Sequence, residues 1–335
     1  MPADEAAPPH NETQQQDNHG RKARKPTQIG WRGWWQIGRR VMENIKRHNI
    51  SLIAAGVALF AMLAVFPALN VAVSLYALFS SPENIISHLE PLRQLLPAQA
   101  YDLLTSQLTD LSDEEGTSVN FALIASLAVG FWVARKGARA MITACNVVYD
   151  EYEKRSFIGL MTVSILFTVI GIFGFVAIAL LAILVPIALN VMPLGGTVES
   201  ILRALRWPIM AALFILVLQC IYRFAPNRKN PKWRWVSVGA VFATIAWIAA
   251  SVGFTIYVQS FSNFNETYGA IGSVIILILW FYISSLVILV GAEINAEMEH
   301  QTEVDSTTGE DKPMGQRGAY VADTLGSEPK NEPTQ

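Results

Sequence analysis

Long apolar stretches dominate this chain: Leu52 to Phe79, Val119 to Ala134, Phe157 to Val191, Trp207 to Phe224, Val236 to Phe261, and Ala270 to Ala292 running on to about Glu299. About 20 apolar residues cross a bilayer as a helix. Inside lipid only a helix or a closed barrel satisfies every backbone N–H and C=O. The sequence lacks the sharp alternation of barrel strands. With 52% hydrophobic and 16% charged residues, the chain is also poor in the charge that covers a soluble domain. The fold expected is all-α: a polytopic membrane bundle of about six transmembrane helices.

Charge placement orients the bundle. Lys and Arg gather on the cytoplasmic side of membrane proteins. Residues 1–50 hold nine, the stretch Arg135 to Ser156 five, and the stretch Arg223 to Trp235 five. The intervening connections hold only Arg93, then Arg203 and Arg206, then none. This alternation predicts both ends inside and an even number of crossings. The localisation expected is the bacterial inner membrane, multi-pass.

Three regions follow. Residues 1–28 and 301–335 read as disordered cytoplasmic tails, and residues 29–300 as the transmembrane domain. Within it, Trp31, Trp34, Ile37, Val41 and Ile45 recur at helical spacing among basic residues, so residues 31–47 read as an interfacial helix; a cap packed on the bundle is the alternative. Residues 80–118 form a long periplasmic segment. Phe157 to Val191 would reach about 50 Å as one helix, which requires tilt, a kink at Pro186 or projection beyond the bilayer.

Enzyme signatures are absent from the sequence. The five histidines (His10, His19, His48, His88 and His300) lack zinc spacing, and no phosphate loop or dinucleotide fingerprint occurs. No enzyme activity, cofactor or metal is expected. Two cysteines, Cys145 and Cys220, read as packing residues.

The candidate substrate path comprises Arg135, Lys136, Arg139, Asn146, Asn70, Glu293, Asn295 and Glu297. Arg135 and Arg139 share a helix face. If the helix continues past Ala134, these cations fall within the membrane boundary, where ionisable groups normally face a protein interior or a wet cavity. Either they form an anion-attracting site, or they stop the helix and snorkel to headgroups. Glu293 and Glu297 lie one turn apart and have two candidate partners: the Arg135/Arg139 face or the Arg228–Arg234 loop. Asn70 and Ser74, with Ser284 and Ser285, can bond between helices or line a path. The aromatic and basic run from Tyr222 to Trp235 reads as an anchor to anionic lipid headgroups at the cytoplasmic face, with no nucleic-acid role. An oligomer is compatible with the sequence.

Several segments together resemble the YihY/BrkB family, once labelled ribonuclease BN. They are Ala54-Ala-Gly-Val-Ala-Leu-Phe-Ala-Met-Leu-Ala-Val-Phe-Pro-Ala-Leu, Arg135-Lys-Gly-Ala-Arg-Ala through Asn146 and Tyr149-Asp-Glu, Tyr222-Arg-Phe-Ala-Pro-Asn, Tyr268-Gly-Ala-Ile-Gly, and Gly291-Ala-Glu-Ile-Asn-Ala-Glu. The resemblance covers roughly residues 37–300. It implies a six-helix inner-membrane fold, links to envelope integrity and to transport of lipid-like or ionic solutes, and no catalytic residues to carry over. The function expected is transport of an anionic or lipid-like substrate. The alternatives are a non-transporting scaffold in envelope biogenesis and, disfavoured, a ribonuclease.

Overall fold

The computed structural model describes residues 19–77, 116–191, 196–260 and 270–326. Among them run eight α-helices: α1 (Trp31–Arg47), α2 (Ile50–Ala77), α3 (Gly116–Val148), α4 (Phe157–Val191), α5 (Gly196–Phe224), α6 (Trp233–Ser260), α7 (Ala270–His300) and the short α8 (Tyr320–Asp323). No strand occurs among the described residues. Most of the expected periplasmic segment 80–118, and the turn from Asn263 to Gly269, lie outside them.

Helices α2 to α7 each have 28 to 35 residues. Their backbone groups bond internally, as lipid demands. Among the described residues, Phe157–Ile178, Thr197–Phe224, Trp233–Val258 and Val274–His300 are long and apolar enough to cross a membrane; α1 with Ile50–Ala64, bent by 65°, makes a fifth if the pair is one span. On α5, Arg206 lies 5.2 Å from the centre of the Trp207 ring, and Arg223 lies 4.4 Å from that of Trp233. Basic and aromatic residues set together in this way, as a girdle, gather at membrane–water boundaries. From Trp207 to Phe224 the rise is roughly 26 Å, close to the thickness of a hydrocarbon core.

The break between α1 and α2 is local chemistry. Asn49 adopts φ 51°, a left-handed conformation that asparagine tolerates better than most residues. Its carbonyl accepts the backbone N–H groups of Leu52 and Ile53 at 2.9 and 3.1 Å, so it opens α2. Asp150, also at φ 51°, ends α3 in the same manner, with the Glu151 N–H returning to the Asn146 carbonyl at 2.8 Å.

Helix α7 is central and touches α1, α2, α3, α6 and α8. The densest packing lies at the end of the bundle where α2 begins and α3, α5 and α7 finish. Ile50, Ala54, Ala144, Val148, Leu218, Tyr222, Val236, Ala240, Ala243, Leu289, Ala292 and Ala296 form one buried cluster there. Half of these are alanines, which lets helix backbones approach closely. The closest approach joins α6 to α7. A Cβ on Gly239 would run into the Gly291 carbonyl oxygen, and one on Gly291 would lie 2.6 Å from the Tyr222 hydroxyl and 2.7 Å from the Gly239 carbonyl oxygen. Away from this end, apolar side chains such as Phe173, Ile201, Ile245 and Ile256 are exposed and form the lipid-facing surface.

Four sequence expectations change. Helix α3 does not stop at Ala134 but continues to Val148, so Arg135, Lys136 and Arg139 are helical rather than loop residues. Only Lys154 and Arg155 remain in the connection after α3, and the charge alternation rests mainly on the other two basic stretches. Helix α5 begins at Gly196, earlier than Trp207, with Glu199 and Arg203 paired one turn apart in its polar first turns. The apolar stripe of α1 is spent on protein: Ile37 and Val41 are buried with Trp235 and Met298, and Trp34 and Ile45 pack against them, while Trp31 and Trp35 stay exposed.

The tails also contract. Residues 301–326 pack onto the bundle instead of trailing from it. Arg317 is buried and donates to the carbonyls of Ala322 and Glu303 at 2.6 Å and of Lys312 at 3.1 Å. Thr302 donates to the Ala23 carbonyl at 2.7 Å, and the Glu303 N–H to that of Arg21 at 2.8 Å, so the two terminal segments clasp each other. Polar composition hid this, because these side chains satisfy backbone groups rather than water.

Gly239→Ala and Gly291→Ala should each destabilise the detergent-solubilised protein by about 1–3 kcal/mol, the cost of overpacking a close helix crossing. Thermal unfolding would read it, with Gly253→Ala, where nothing lies within 4 Å, as a neutral control.

Candidate functional site

The last two turns of α7 carry Glu293, Asn295, Glu297 and Glu299, all fully or almost fully buried. A buried carboxylate needs a compensating charge or donor. Each obtains one from a different part of the chain. His48, at the α1–α2 hinge, places Nδ1 2.5 Å from Glu293. Arg40 of α1 pairs with Glu297, which also accepts from Asn44 at 2.7 Å. Arg228, from the α5–α6 connection, grips Glu299 through two nitrogens at 2.7 and 3.1 Å with both side chains fully buried. The guanidinium lies 4.0 Å from the centre of the Tyr149 ring, and Ser306 adds a 2.6 Å bond to Glu299. Asn295 bridges to α6, accepting from the Gly239 N–H at 2.8 Å and donating to the Val236 carbonyl at 3.2 Å.

The lattice extends to α3. Asp150 bonds Arg47 at 2.7 Å and lies 3.5 Å from His48 Nε2. Burial disfavours charge on His48, but Asp150 and Glu293 outweigh it and raise its pKa from 6.5 to about 9. Burial likewise works against ionised Asp150, yet His48 and Arg47 hold its carboxyl below the usual carboxylate range. Asn146 accepts from the Asn227 N–H at 2.7 Å and donates to Glu153 at 3.0 Å. Beside the lattice opens a cleft of about 620 Å³, lined by the 150–154 connection, Asn227 to Lys229 and the segment from Gly318 to Asp323.

Arg135, Lys136 and Arg139 stand apart. The expected alternative of pairing Glu293 and Glu297 with the Arg135/Arg139 face is not realised, because Arg40 and His48 neutralise those carboxylates. Nor does the Arg228–Arg234 loop reach them; it takes Glu299 instead. Arg135 and Arg139 make no ion pair or hydrogen bond among the described residues. Lys136 places its ammonium 3.7 Å from the centre of the Trp132 ring. Seven of the eight candidate residues therefore divide into two groups. Asn146, Glu293, Asn295 and Glu297 belong to the lattice, and the three cations lie deeper along α3. Asn70 is on α2, but its side chain lies outside the described ones.

The separation of the cations from the lattice follows from helix geometry. Cys145 packs with Ala225 beside the Arg223/Trp233 girdle. At 1.5 Å per residue, Arg139 lies roughly 9 Å and Arg135 roughly 15 Å inward from Cys145 along α3. Sequence reasoning named these cations but missed Arg40, His48 and Asp150 as lattice members. The basic amphipathic pattern of α1 concealed which single arginine turns inward.

A family model described as virulence factor BrkB matches residues 41–315. A Bacillus subtilis protein carrying a ribonuclease-like name, YfkH, is 35% identical over 253 residues, covering 72% of this chain and 88% of its own. A UPF0761 membrane protein of Photobacterium profundum is 24% identical over 275 residues, covering 79% and 82%. One from Idiomarina loihiensis is 34% identical over 92 residues, covering 28% and 31%. No solved structure matches.

Arg228→Met should cost about 3–5 kcal/mol, because it leaves Glu299 buried without a compensating cation. Pairing it with Glu299→Met should recover much of that loss, as unfolding of the two purified variants would report. The raised pKa of His48 gives a second expectation. Its contribution to stability is complete below pH 6.5 and is lost as pH rises through about 9. The melting temperature should fall over that interval in the wild type and fall less in His48→Gln.

Proposed function

Because the chain belongs to the BrkB virulence-factor family, as its match over residues 41–315 shows, we propose that this membrane protein moves an anionic, lipid-like solute and performs no covalent chemistry. We place it in the bacterial inner membrane with six crossings and both ends in the cytoplasm, where the basic stretches of the sequence concentrate. One observation supports the transport reading: Arg135, Lys136 and Arg139 are helical residues of α3 without a carboxylate partner among the described residues, and we place α3 across the membrane. A cation in hydrocarbon is costly, and such residues in membrane helices mark solute paths. Lys136 folds back over Trp132, one turn earlier on α3, the direction that helical side chains take.

The lattice at the end of α7 supports this reading as the fixed frame. Its charges are already paired, which leaves the three cations as the anion-attracting elements of α3. A non-transporting scaffold is the second reading, favoured by the polar 620 Å³ cleft beside the clasped termini. The ribonuclease-like name of the Bacillus subtilis relative suggests a third, which we rank last. Among the described residues, no group of three or more His, Cys, Asp or Glu side chains could hold a metal ion.

Proteoliposomes reconstituted with wild type, Arg135→Gln and Lys136→Gln would test transport by anion flux and by movement of labelled anionic lipid between leaflets. Each variant should lose about tenfold in rate, equivalent to about 1.4 kcal/mol. Folded wild-type protein with neither activity would turn the choice to the scaffold.

A further inference from the structure

Of the three cations Arg139 is exposed, and Arg135 and Lys136 are half-buried. Trp132, Lys136, Arg139 and Thr143 follow one another at i, i+4, i+7 and i+11, one face of α3. Trp132 is 51% exposed, Arg139 and Thr143 are exposed, and Lys136 is half-buried over the indole. On the opposite face, Ala144 and Val148 are fully buried in the core cluster. A solute reaching these cations therefore approaches from the bilayer.

This placement restricts the ligand. In hydrocarbon a bare ammonium and a bare guanidinium are both costly, and a free aqueous anion has no polar route along a lipid-facing surface. The abundant anions that travel within the bilayer are lipid phosphates. Arginine binds phosphate oxygens through two parallel N–H groups, lysine binds as a point charge, and a half-exposed indole offers an apolar rail for an acyl chain. The carboxylates at the end of α7 do not compete, because they are already paired with Arg40, His48 and Arg228.

Resting on the anionic-substrate reading above, we propose that the Trp132/Lys136/Arg139 face of α3 is a laterally open binding site for the phosphate of an anionic phospholipid. Arg135, half-buried at the flank of this face, offers the phosphate a further step toward the midplane. The lipid's acyl chains stay in the bilayer while its headgroup follows the cations.

Binding can be read without flux. In vesicles, the fluorescence of wild type minus that of Trp132→Phe isolates Trp132. Lipids brominated on the acyl chain quench an indole on contact. Brominated phosphatidylglycerol should occupy the site about fivefold more effectively than brominated phosphatidylcholine at equal mole fraction, a preference of about 1 kcal/mol. Lys136→Gln with Arg139→Gln should remove the preference while leaving quenching by both lipids. Lys136→Arg, which keeps the charge, should retain it. Excess inorganic phosphate should leave the preference intact.

Equal quenching by the two lipids in the wild type would overturn the site. Suppression of the preference by inorganic phosphate would overturn the lipid assignment in favour of an aqueous route. Absence of quenching by either lipid would show the face covered by another copy of the chain, which also overturns it. A clear preference without flux would keep the site and remove the transport reading. Flux without preference would do the reverse.

Discussion

Neutralising the buried carboxylates of α7 is the constraint on which the rest of the bundle depends. Three glutamates on two consecutive turns cannot enter a packed interior unless cations arrive in register. The chain supplies them from the α1 helix, the α1–α2 hinge and the α5–α6 connection. Each pairing fixes one element against α7. Together they hold in place the 65° bend that Asn49 makes after α1, the inward plunge of Arg228 and the position of α3, which Asp150 ties to the same hinge. The apolar lengths of the helices supply hydrophobicity, but lipid is equally apolar and does not choose among helix arrangements. The charge pairs and the Gly239–Gly291 contact do choose.

The bundle therefore holds two populations of charge with opposite treatment. At the girdled end, acid and base are matched and desolvated together. Deeper on α3, three bases have no matching acids among the described residues. A fold that pairs the three buried glutamates of α7, yet leaves these cations of α3 without such partners, treats its charges in two ways.

Much of the helical architecture was legible in the sequence, because apolar runs of membrane length have few alternatives. Helix limits were less so. The run Arg135 to Arg139 resembles an exit from the membrane by hydropathy, but arginine, lysine and alanine are strong helix formers, so α3 passes straight through. Residues 301–326 look disordered by composition. Asp305, however, closes two local turns through the N–H groups of Thr307 and Lys312, at 2.8 and 2.9 Å. That Asp-Ser-Thr-Thr pattern was the available signal. The cations and carboxylates were visible as residue types. Their partnership was not, because helical spacing says nothing about side chains on elements far apart in the chain.

The pairing of Arg40 with Glu297 spans 257 positions. A ribosome adding about 5–20 residues per second needs roughly 13 to 50 s to cover that interval. Throughout it, Arg40 and His48 wait for carboxylates that do not yet exist, and the α1 helix has no α7 to lie on. The chain's first helical element is thus among the last to reach its final place. The nascent protein spends most of its synthesis as a set of inserted helices whose closing end has yet to be made.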